Sequence, residues 1–281
     1  MENAQITFVP FFPKLGEVEQ NLAAIIAQIE EIQKNSSPDI IIFPELSTSG
    51  YLLENLAISS AIEPNQDIPE KLLQQSNSAD IILGALIKED GKLFNAGLVL
   101  KEGKLQHIHR KIYLPTYGLF DEKRYFSPGQ NLQTFESKLG KSALLVCEDA
   151  FHPALPYGLY ARGVKHVFII SNSPARGVSN EGDDIASSQR WKRRLEVYSE
   201  SFGQFYYYVN RSGSEDGVYF DGISVFVSPN RETCESFSDN PVDMEVHLSD
   251  LDSAFSHGGP FQYENWDLNR RILDLAHKEH E

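Results

Sequence analysis

The sequence predicts a single α/β domain in which a mixed sheet, or a pair of sheets, is covered by helices. Short apolar runs alternate with segments of helical periodicity, several runs are apolar at every position, and a hairpin pattern occurs among them. A strand that is apolar throughout is typical of a sheet buried on both faces. No solenoid repeat, low-complexity tract or linker interrupts this order. One domain over residues 1–281 is therefore expected, with a C-terminal tail from about residue 251.

The individual elements follow from local patterns. Six apolar runs are predicted as strands, at residues 5–12, 39–45, 79–87, 142–149, 166–172 and 205–211. A helix follows the first run, because apolar residues recur there at spacings of three and four: Leu22, Ile25, Ile29 and Ile32. A second helix is predicted from Asp184 to about Phe202. Residues 95–110 are predicted as a hairpin that turns at Lys-Glu-Gly-Lys, and 222–228 and 244–249 as two late strands.

Composition limits the classes of partner. The 281 residues contain 25 Lys and Arg against 40 Asp and Glu, a net charge of −15, which argues against a nucleic-acid partner. Two cysteines argue against a disulfide framework. No apolar run approaches the roughly 18 residues of a membrane span, and the N-terminus has no basic region typical of a secretory signal. We therefore expect a cytoplasmic protein with no membrane partner.

Three reactive side chains follow predicted strands. Glu45 ends the run IIIFPE, Lys111 follows HIHR, and Cys147 ends ALLVC. In open α/β sheets ligands bind beyond the carboxyl ends of the strands, so these three groups could meet in one pocket. A carboxylate held in a pocket can act as a general base, and a lysine there can face an oxyanion.

Each of the three also has an ordinary interpretation. The cysteine can be an inert buried side chain, the glutamate a strand-end carboxylate and the lysine a solvated charge. Cys147 precedes a stretch compatible with a helix that ends near Arg162, and a helix N-terminus favours a thiolate. Glu148 and Asp149 oppose that effect, so a base would have to take the thiol proton. The three residues together indicate a reactive pocket more strongly than any one of them does alone.

Other candidate sites are less well supported. His107 and His109 share one face of a strand, which allows a metal pair, but the alternative is an ordinary surface strand. No metal site is predicted. Residues 190–194 contain four basic side chains that either solvate a helix face or contact an anion at a pocket or interface.

The sequence resembles the nitrilase, or carbon–nitrogen hydrolase, superfamily. The matching segments are FPELSTSGY (43–51), HRKIYLPTYGLFDEKRYFSPG (109–129), LLVCEDAFHP (144–153) and YVNRSGSEDGVYFDGISVFVSPN (208–230). The resemblance extends from the first strand to about residue 250. LPTYGLFDEKRYF and CEDAF are most similar to the glutaminase domain of glutamine-dependent NAD synthetase.

The resemblance implies an α-β-β-α sandwich of two mixed sheets, commonly paired with a second copy, and a cysteine amidase that needs no metal or organic cofactor. It makes Glu45 the general base, Lys111 the oxyanion-stabilising cation and Cys147 the nucleophile. A second glutamate that positions the lysine maps to Glu122, although Asp121 adjoins it. The backbone N–H of Glu148 would complete the oxyanion site.

Four further residues are candidates for the pocket wall by analogy, with core packing as the alternative for each: Tyr51, Tyr117, Phe151 and Asn172. Side-chain specificity is expected to depend on the loops at 115–126 and 173–184. Cys234 is expected to be a bystander.

Two departures limit the substrate that the resemblance implies. Only about thirty residues follow the matching region, so a free-standing amidase is favoured over a synthetase. The segment SNSPARG (171–177) differs from the NASP-like stretch expected there.

The function predicted first is hydrolysis of a small linear amide or N-carbamoyl compound by a homodimer or higher homo-oligomer. The alternatives are a glutaminase subunit that supplies ammonia to a separate synthetase chain, and a non-catalytic interaction module. Nitrile hydrolysis ranks below amides, because Glu148 stands where nitrilases tend to have tryptophan.

Overall fold

Two six-stranded mixed sheets form the centre of the protein in a computed structural model, which describes residues 3–118, 120–177, 185–230, 232–251 and 264–279. The strands are β1 (Asn3–Phe8), β2 (Ile40–Ile42), β3 (Asp80–Glu89), β4 (Lys92–Lys101), β5 (Lys104–Arg110), β6 (Phe135–Ser137), β7 (Gly140–Val146), β8 (His166–Ser171), β9 (Phe205–Asn210), β10 (Ser212–Glu215), β11 (Val218–Asp221), β12 (Ile223–Val227), β13 (Thr233–Phe237) and β14 (Val242–His247). The helices are α1 (Val18–Asn35), α2 (Pro64–Asp67), α3 (Glu70–Gln75), α4 (Glu122–Tyr125), α5 (Ala154–Ala161), α6 (Ala186–Phe202) and α7 (Trp266–Glu279).

The two sheets repeat one arrangement. The first has the order β14-β1-β2-β3-β4-β5 and the second β13-β12-β9-β8-β7-β6. In each, three adjacent strands are parallel, β1-β2-β3 in one and β7-β8-β9 in the other, and antiparallel strands flank them. Because β14 pairs with β1, a late segment of the chain completes the sheet that the first segment begins.

Both faces of each sheet are covered, which explains why the predicted strands are apolar throughout. Ile40, Ile42 and Ile82 pack in a core shared with the second sheet. The alternate residues Ile41 and Ile81 pack instead with the buried stripe of α1. Helix α6 packs on the second sheet through Trp191 and Leu195 among others. The predicted α-β-β-α sandwich is confirmed.

Several element boundaries differ from the predictions for local reasons. The first strand stops at Phe8 because Pro10 and Pro13 follow, and the second stops at Ile42, two residues before Pro44. The helix expected after Cys147 is divided into a 3₁₀ turn, Cys147–Phe151, and α5, with Pro153 between them. The predicted start of the second helix, Asp184, lies outside the described residues, which show this helix from Ala186.

The hairpin β10–β11 and strands β6 and β13 were not predicted. Strands β10 and β11 are only four residues each, and β10, Ser-Gly-Ser-Glu, has no apolar residue, so the hairpin lacks the paired apolar runs that identify the longer strands. No helix in the described ranges is long and apolar enough to cross a bilayer.

Candidate active site

Glu45, Lys111 and Cys147 come together where strand ends of the two sheets face each other. Glu45 follows β2, Lys111 follows β5 of the same sheet, and Cys147 follows β7 of the other sheet. Lys111 Nζ lies 2.7 Å from Glu45 Oε1. Two consecutive residues, Ser171 and Asn172, connect Cys147 with Glu45. The Ser171 hydroxyl donates a hydrogen bond to the sulfur, and the Asn172 N–H donates one to the carboxylate.

Glu45 is a carboxylate fixed by three donors. It is fully buried. Its Oε1 accepts hydrogen bonds from Lys111 Nζ and Asn95 Nδ2, both at 2.7 Å, and its Oε2 accepts one from the Asn172 N–H at 2.7 Å. Charge-assisted bonds of this length are strong and orient both oxygens. Both oxygens of Glu45 are therefore fixed in position.

The turn that carries Glu45 is held in position by close contact between its backbone and the backbone of β3. A Cβ on Gly84 of β3 would lie 2.3 Å from the Leu46 nitrogen and 2.5 Å from the Glu45 Cα. The Gly84 N–H donates to the Pro44 carbonyl at 3.0 Å. Only glycine allows this contact, since any side chain there would overlap the backbone.

Lys111 bridges two carboxylates. Only 1% of it is exposed, and Nζ donates to Glu45 Oε1 and Glu122 Oε1, both at 2.7 Å. Burial disfavours the ammonium, but the charges of Glu122 and Glu45 outweigh it and raise the pKa of Lys111. An ammonium has three N–H donors, and in the described part of the chain two of them have these acceptors.

Glu122, rather than Asp121, contacts the lysine. Glu122 begins α4 and is buried, whereas Asp121 is exposed beside Arg124. Glu122 Oε1 also accepts the Tyr51 hydroxyl at 2.7 Å. Burial raises the pKa of Glu122 to about 7, with Lys111 lowering it and Glu45 raising it. Burial therefore makes this carboxyl harder to ionise than an exposed glutamate.

Cys147 begins a strained turn. Its φ is +44°, which is unusual for a residue with a side chain. The residue is 9% exposed, and Ser171 Oγ donates a hydrogen bond to Sγ at 3.2 Å. Burial and the charge of Glu45 raise the pKa of this thiol, so the expected helix effect does not prevail. The raised pKa favours the neutral thiol, and its causes are burial and Glu45 rather than the adjacent acids Glu148 and Asp149.

A buried pair that the sequence interpretation missed connects the two halves of the site. Asp149 is fully buried and accepts the N–H groups of Ile112, Tyr113 and Val146 at 3.0, 2.9 and 3.1 Å. Its Oδ2 lies 2.8 Å from His109 Nε2. Asp149 thus ties the segment after Lys111 to the turn that carries Cys147.

The interpretation of the segment with His107 and His109 as a surface strand is wrong, because both side chains are buried. His107 stacks on Phe135, and burial lowers its pKa to about 4. Within the described ranges, no three His, Cys, Asp or Glu side chains are grouped as metal ligands.

The predicted wall residues divide into two groups. Tyr51, Asn172 and Glu148 lie at the site, Tyr51 through Glu122 and Asn172 through its N–H to Glu45. The half-exposed Tyr117 donates its hydroxyl to Glu148 Oε2 at 2.7 Å. A cleft of 630 Å³ opens beside Glu148, lined in part by residues 112–117.

Phe151 instead packs against α6. Its ring meets Trp191 edge to face at 4.7 Å, and the Arg194 guanidinium lies over it at 3.7 Å. Another member of the basic run, Lys192, pairs with Glu235 at 3.0 Å. Part of this run therefore contacts neighbouring side chains rather than only solvent. Of the loop expected to set specificity, residues 178–184 lie outside the described residues.

Comparison with known proteins gives a consistent result. A family model described as carbon-nitrogen hydrolase matches residues 4–253. A glutamine-dependent NAD(+) synthetase of Acinetobacter baylyi is 28% identical over 253 residues, 90% of this chain and 45% of the relative. A probable nitrilase of Schizosaccharomyces pombe is 24% identical over 89% of this chain and 90% of its own length.

Among solved structures, a carbon-nitrogen hydrolase from Helicobacter pylori superposes with a TM-score of 0.85 at 18% identity, covering 96% of this chain and 98% of that one. This likeness supports the fold. The chain spans less than half the length of the NAD synthetase that it matches.

Proposed function

This chain belongs to the carbon–nitrogen hydrolase family, and we propose that it hydrolyses the C–N bond of a small linear amide or N-carbamoyl compound through a thioester on Cys147. The observation that carries the proposal is the convergence of a fixed carboxylate, a buried ammonium and a thiol at facing strand ends. An amide resists direct attack by water, and a sulfur nucleophile divides the barrier into two steps.

In the first step Glu45 takes the Cys147 thiol proton while sulfur attacks the substrate carbonyl carbon. The carbonyl oxygen becomes an oxyanion, which the Lys111 ammonium and the Glu148 N–H stabilise. When the tetrahedral intermediate collapses, the C–N bond breaks and protonated Glu45 gives its proton to the leaving nitrogen. Ammonia or an amine departs and a thioester remains.

In the second step Glu45 takes a proton from water, and the resulting hydroxide attacks the thioester carbonyl. The C–S bond breaks, the acid is released, and the Glu45 proton returns to the thiolate. Glu122 holds Lys111 in place throughout, because its carboxyl accepts from both Lys111 and Tyr51.

A second candidate is a glutaminase that supplies ammonia to a synthetase chain. The observation that favours it is the 28% identity to a glutamine-dependent NAD(+) synthetase over 90% of this chain. Its substrate would be glutamine, and its turnover would rise when a synthetase partner is bound.

Ammonia release from a panel of linear amides, N-carbamoyl compounds and glutamine distinguishes the two candidates. Turnover of a panel amide by the isolated protein supports the first. Glutamine turnover that is slow alone and stimulated by a separate NAD synthetase domain supports the second. Cys147→Ala is expected to lower the rate by a factor on the order of 10⁴ or more, whereas Cys234→Ala, at the half-buried cysteine of β13, keeps it. Full turnover by Cys147→Ala would contradict the mechanism.

We further propose that residues 1–281 act as one hydrolase domain and that two copies associate. Sedimentation equilibrium of the purified protein measures this directly, and a single species at the monomer mass would contradict the association.

A further inference from the structure

The sulfur of Cys147 has a hydroxyl beside it. Ser171 Oγ donates to Sγ at 3.2 Å, within the range of a hydrogen bond to sulfur. Among the residues that the structure describes, Ser171 is the one whose side chain hydrogen-bonds to this sulfur. The sequence had marked this position only as the start of a segment that departs from the family pattern.

The fold keeps the two groups side by side. Strands β7 and β8 are parallel neighbours with Val146 opposite Ile170, so the next residues, Cys147 and Ser171, lie at adjacent strand ends. Ser171 is fully buried, and its carbonyl accepts the Arg211 N–H at 3.2 Å. The strand pairing and this backbone bond therefore keep Ser171 beside Cys147.

The surroundings of the sulfur otherwise disfavour a negative charge. The thiol is buried, and the Glu45 carboxyl, which three donors hold in place, lies nearby. The positive charge of Lys111 is shared between Glu45 and Glu122. Among the described residues, the side-chain hydroxyl that donates a hydrogen bond to the sulfur itself is that of Ser171.

We propose that the Ser171 hydroxyl stabilises the thiolate that forms on Cys147 when Glu45 takes its proton, an inference that rests on the proposed nucleophile. The O–H···S bond is weak to a neutral thiol and strengthens as charge develops on sulfur, so it favours the transition state over the resting enzyme. The same bond assists the reverse change during deacylation, when the C–S bond breaks and the sulfur again takes the negative charge.

Alkylation of Cys147 by iodoacetamide tests this without any substrate. The second-order rate is measured from pH 6 to pH 9 by intact mass and peptide mapping. Ser171→Ala is expected to slow alkylation about tenfold to a hundredfold, the size of a hydrogen bond to a charged group. Ser171→Thr, which keeps the hydroxyl, is expected to stay within about threefold of the unmodified rate. Ser171→Gly provides a second variant without a hydroxyl, and it is expected to be as slow as Ser171→Ala.

The matched control is Ser224→Ala, which removes a fully buried hydroxyl from β12 of the same sheet and is expected to leave the rate unchanged. A folded Ser171→Ala or Ser171→Gly protein that is alkylated at the unmodified rate would overturn the proposal. Equal slowing in Ser171→Thr would overturn it as well, because packing rather than the hydroxyl would then matter. If Cys147 of the unmodified protein reacts no faster than Cys234, the nucleophile itself is wrong, and the Ser171 proposal falls with it.

Discussion

The two sheets contribute very different ends to the site. The end of the first sheet is a network of charged groups, in which Glu45, Lys111 and Glu122 are joined by bonds of 2.7 Å. The end of the second sheet carries a neutral thiol on a strained turn, with one 3.2 Å bond from Ser171. One half is rigid and charged before any substrate arrives, whereas the other would carry a charge only after a base has taken the thiol proton.

This division indicates where the energetic cost of the site lies. Burying two carboxylates with one ammonium is expensive, and their mutual attraction offsets the loss of hydration only when the geometry is good. Charges fixed in advance need no reorganisation when an oxyanion develops. In the proposed mechanism, by contrast, the sulfur of Cys147 is charged only during the reaction.

Among variants of the charged half and its connections, the largest effect is expected from Lys111→Met, which removes the central cation. Glu45 and Glu122 would face each other without a cation, so we expect turnover to fall by about 10³-fold or more and the free energy of unfolding to fall by about 3–5 kcal/mol. Urea denaturation and steady-state rates measure both quantities. Lys71→Met, at an exposed lysine paired with Glu30, is the control. An unchanged stability would show that the charged half is not held by this lysine.

Asp149→Ala tests the connection between the halves. It would leave three backbone N–H groups and His109 without their acceptor, and the distance between Lys111 and Cys147 would no longer be fixed. We expect kcat to fall about 100-fold and stability to fall by about 2–3 kcal/mol. Asp243→Ala, at a carboxylate that bonds Thr7 on the far edge of the first sheet, is the comparison. Full activity in the Asp149 variant would mean that the two halves are positioned independently.

Glu122→Gln tests the pH dependence of the charged half. In the folded protein the pKa of Glu122 is raised from 4.5 to about 7, with burial as the main cause. Between these values the unfolded chain releases the proton and the folded protein keeps it, so the unfolded state binds fewer protons and stability falls as pH rises. The unfolding free energy of the unmodified protein should therefore decline relative to Glu122→Gln from about pH 4.5 to pH 7.

Urea titrations at four pH values between 4.5 and 8 measure that difference. We expect a fall in kcat/KM of about tenfold at pH 7, because glutamine retains an acceptor for Lys111 but no charge. A stability difference that is constant with pH would contradict the raised pKa of Glu122.

The smallest effect is expected from Tyr51→Phe, which removes one neutral donor from the same network. The lost bond to Glu122 Oε1 corresponds to about 1 kcal/mol, or roughly fivefold in kcat/KM. Because that bond lowers the pKa of Glu122, the pH dependence linked to Glu122 should move to higher pH. Tyr219→Phe, on a half-exposed side chain of β11, should change neither. A larger loss than for Glu122→Gln would mean that Tyr51 acts other than through Glu122.

Much of the fold and the centre of the site could be predicted because strong local patterns encode them. The apolar runs identify the parallel strands of both sheets, and Glu45, Lys111 and Cys147 stand at strand ends. Asp149 and His109 could not be paired, since they are 40 positions apart and only the packing of two sheets brings them together. The choice of Glu122 over Asp121 likewise depends on which side chain is buried against Lys111. Whether the pKa of Cys147 is raised or lowered depends on burial, which no local sequence pattern reports.

Gly84 has a consequence for how this scaffold can be altered. Residues that face the cleft can be exchanged to change what the enzyme accepts, because their side chains end in open space. Position 84 offers no such latitude, since even a methyl group would push the Pro44–Leu46 backbone aside and move the Glu45 carboxyl with it. A library that randomises β3 should therefore leave this position untouched, and its loss of activity on mutation would come from displacement of Glu45 without any change in the catalytic side chains.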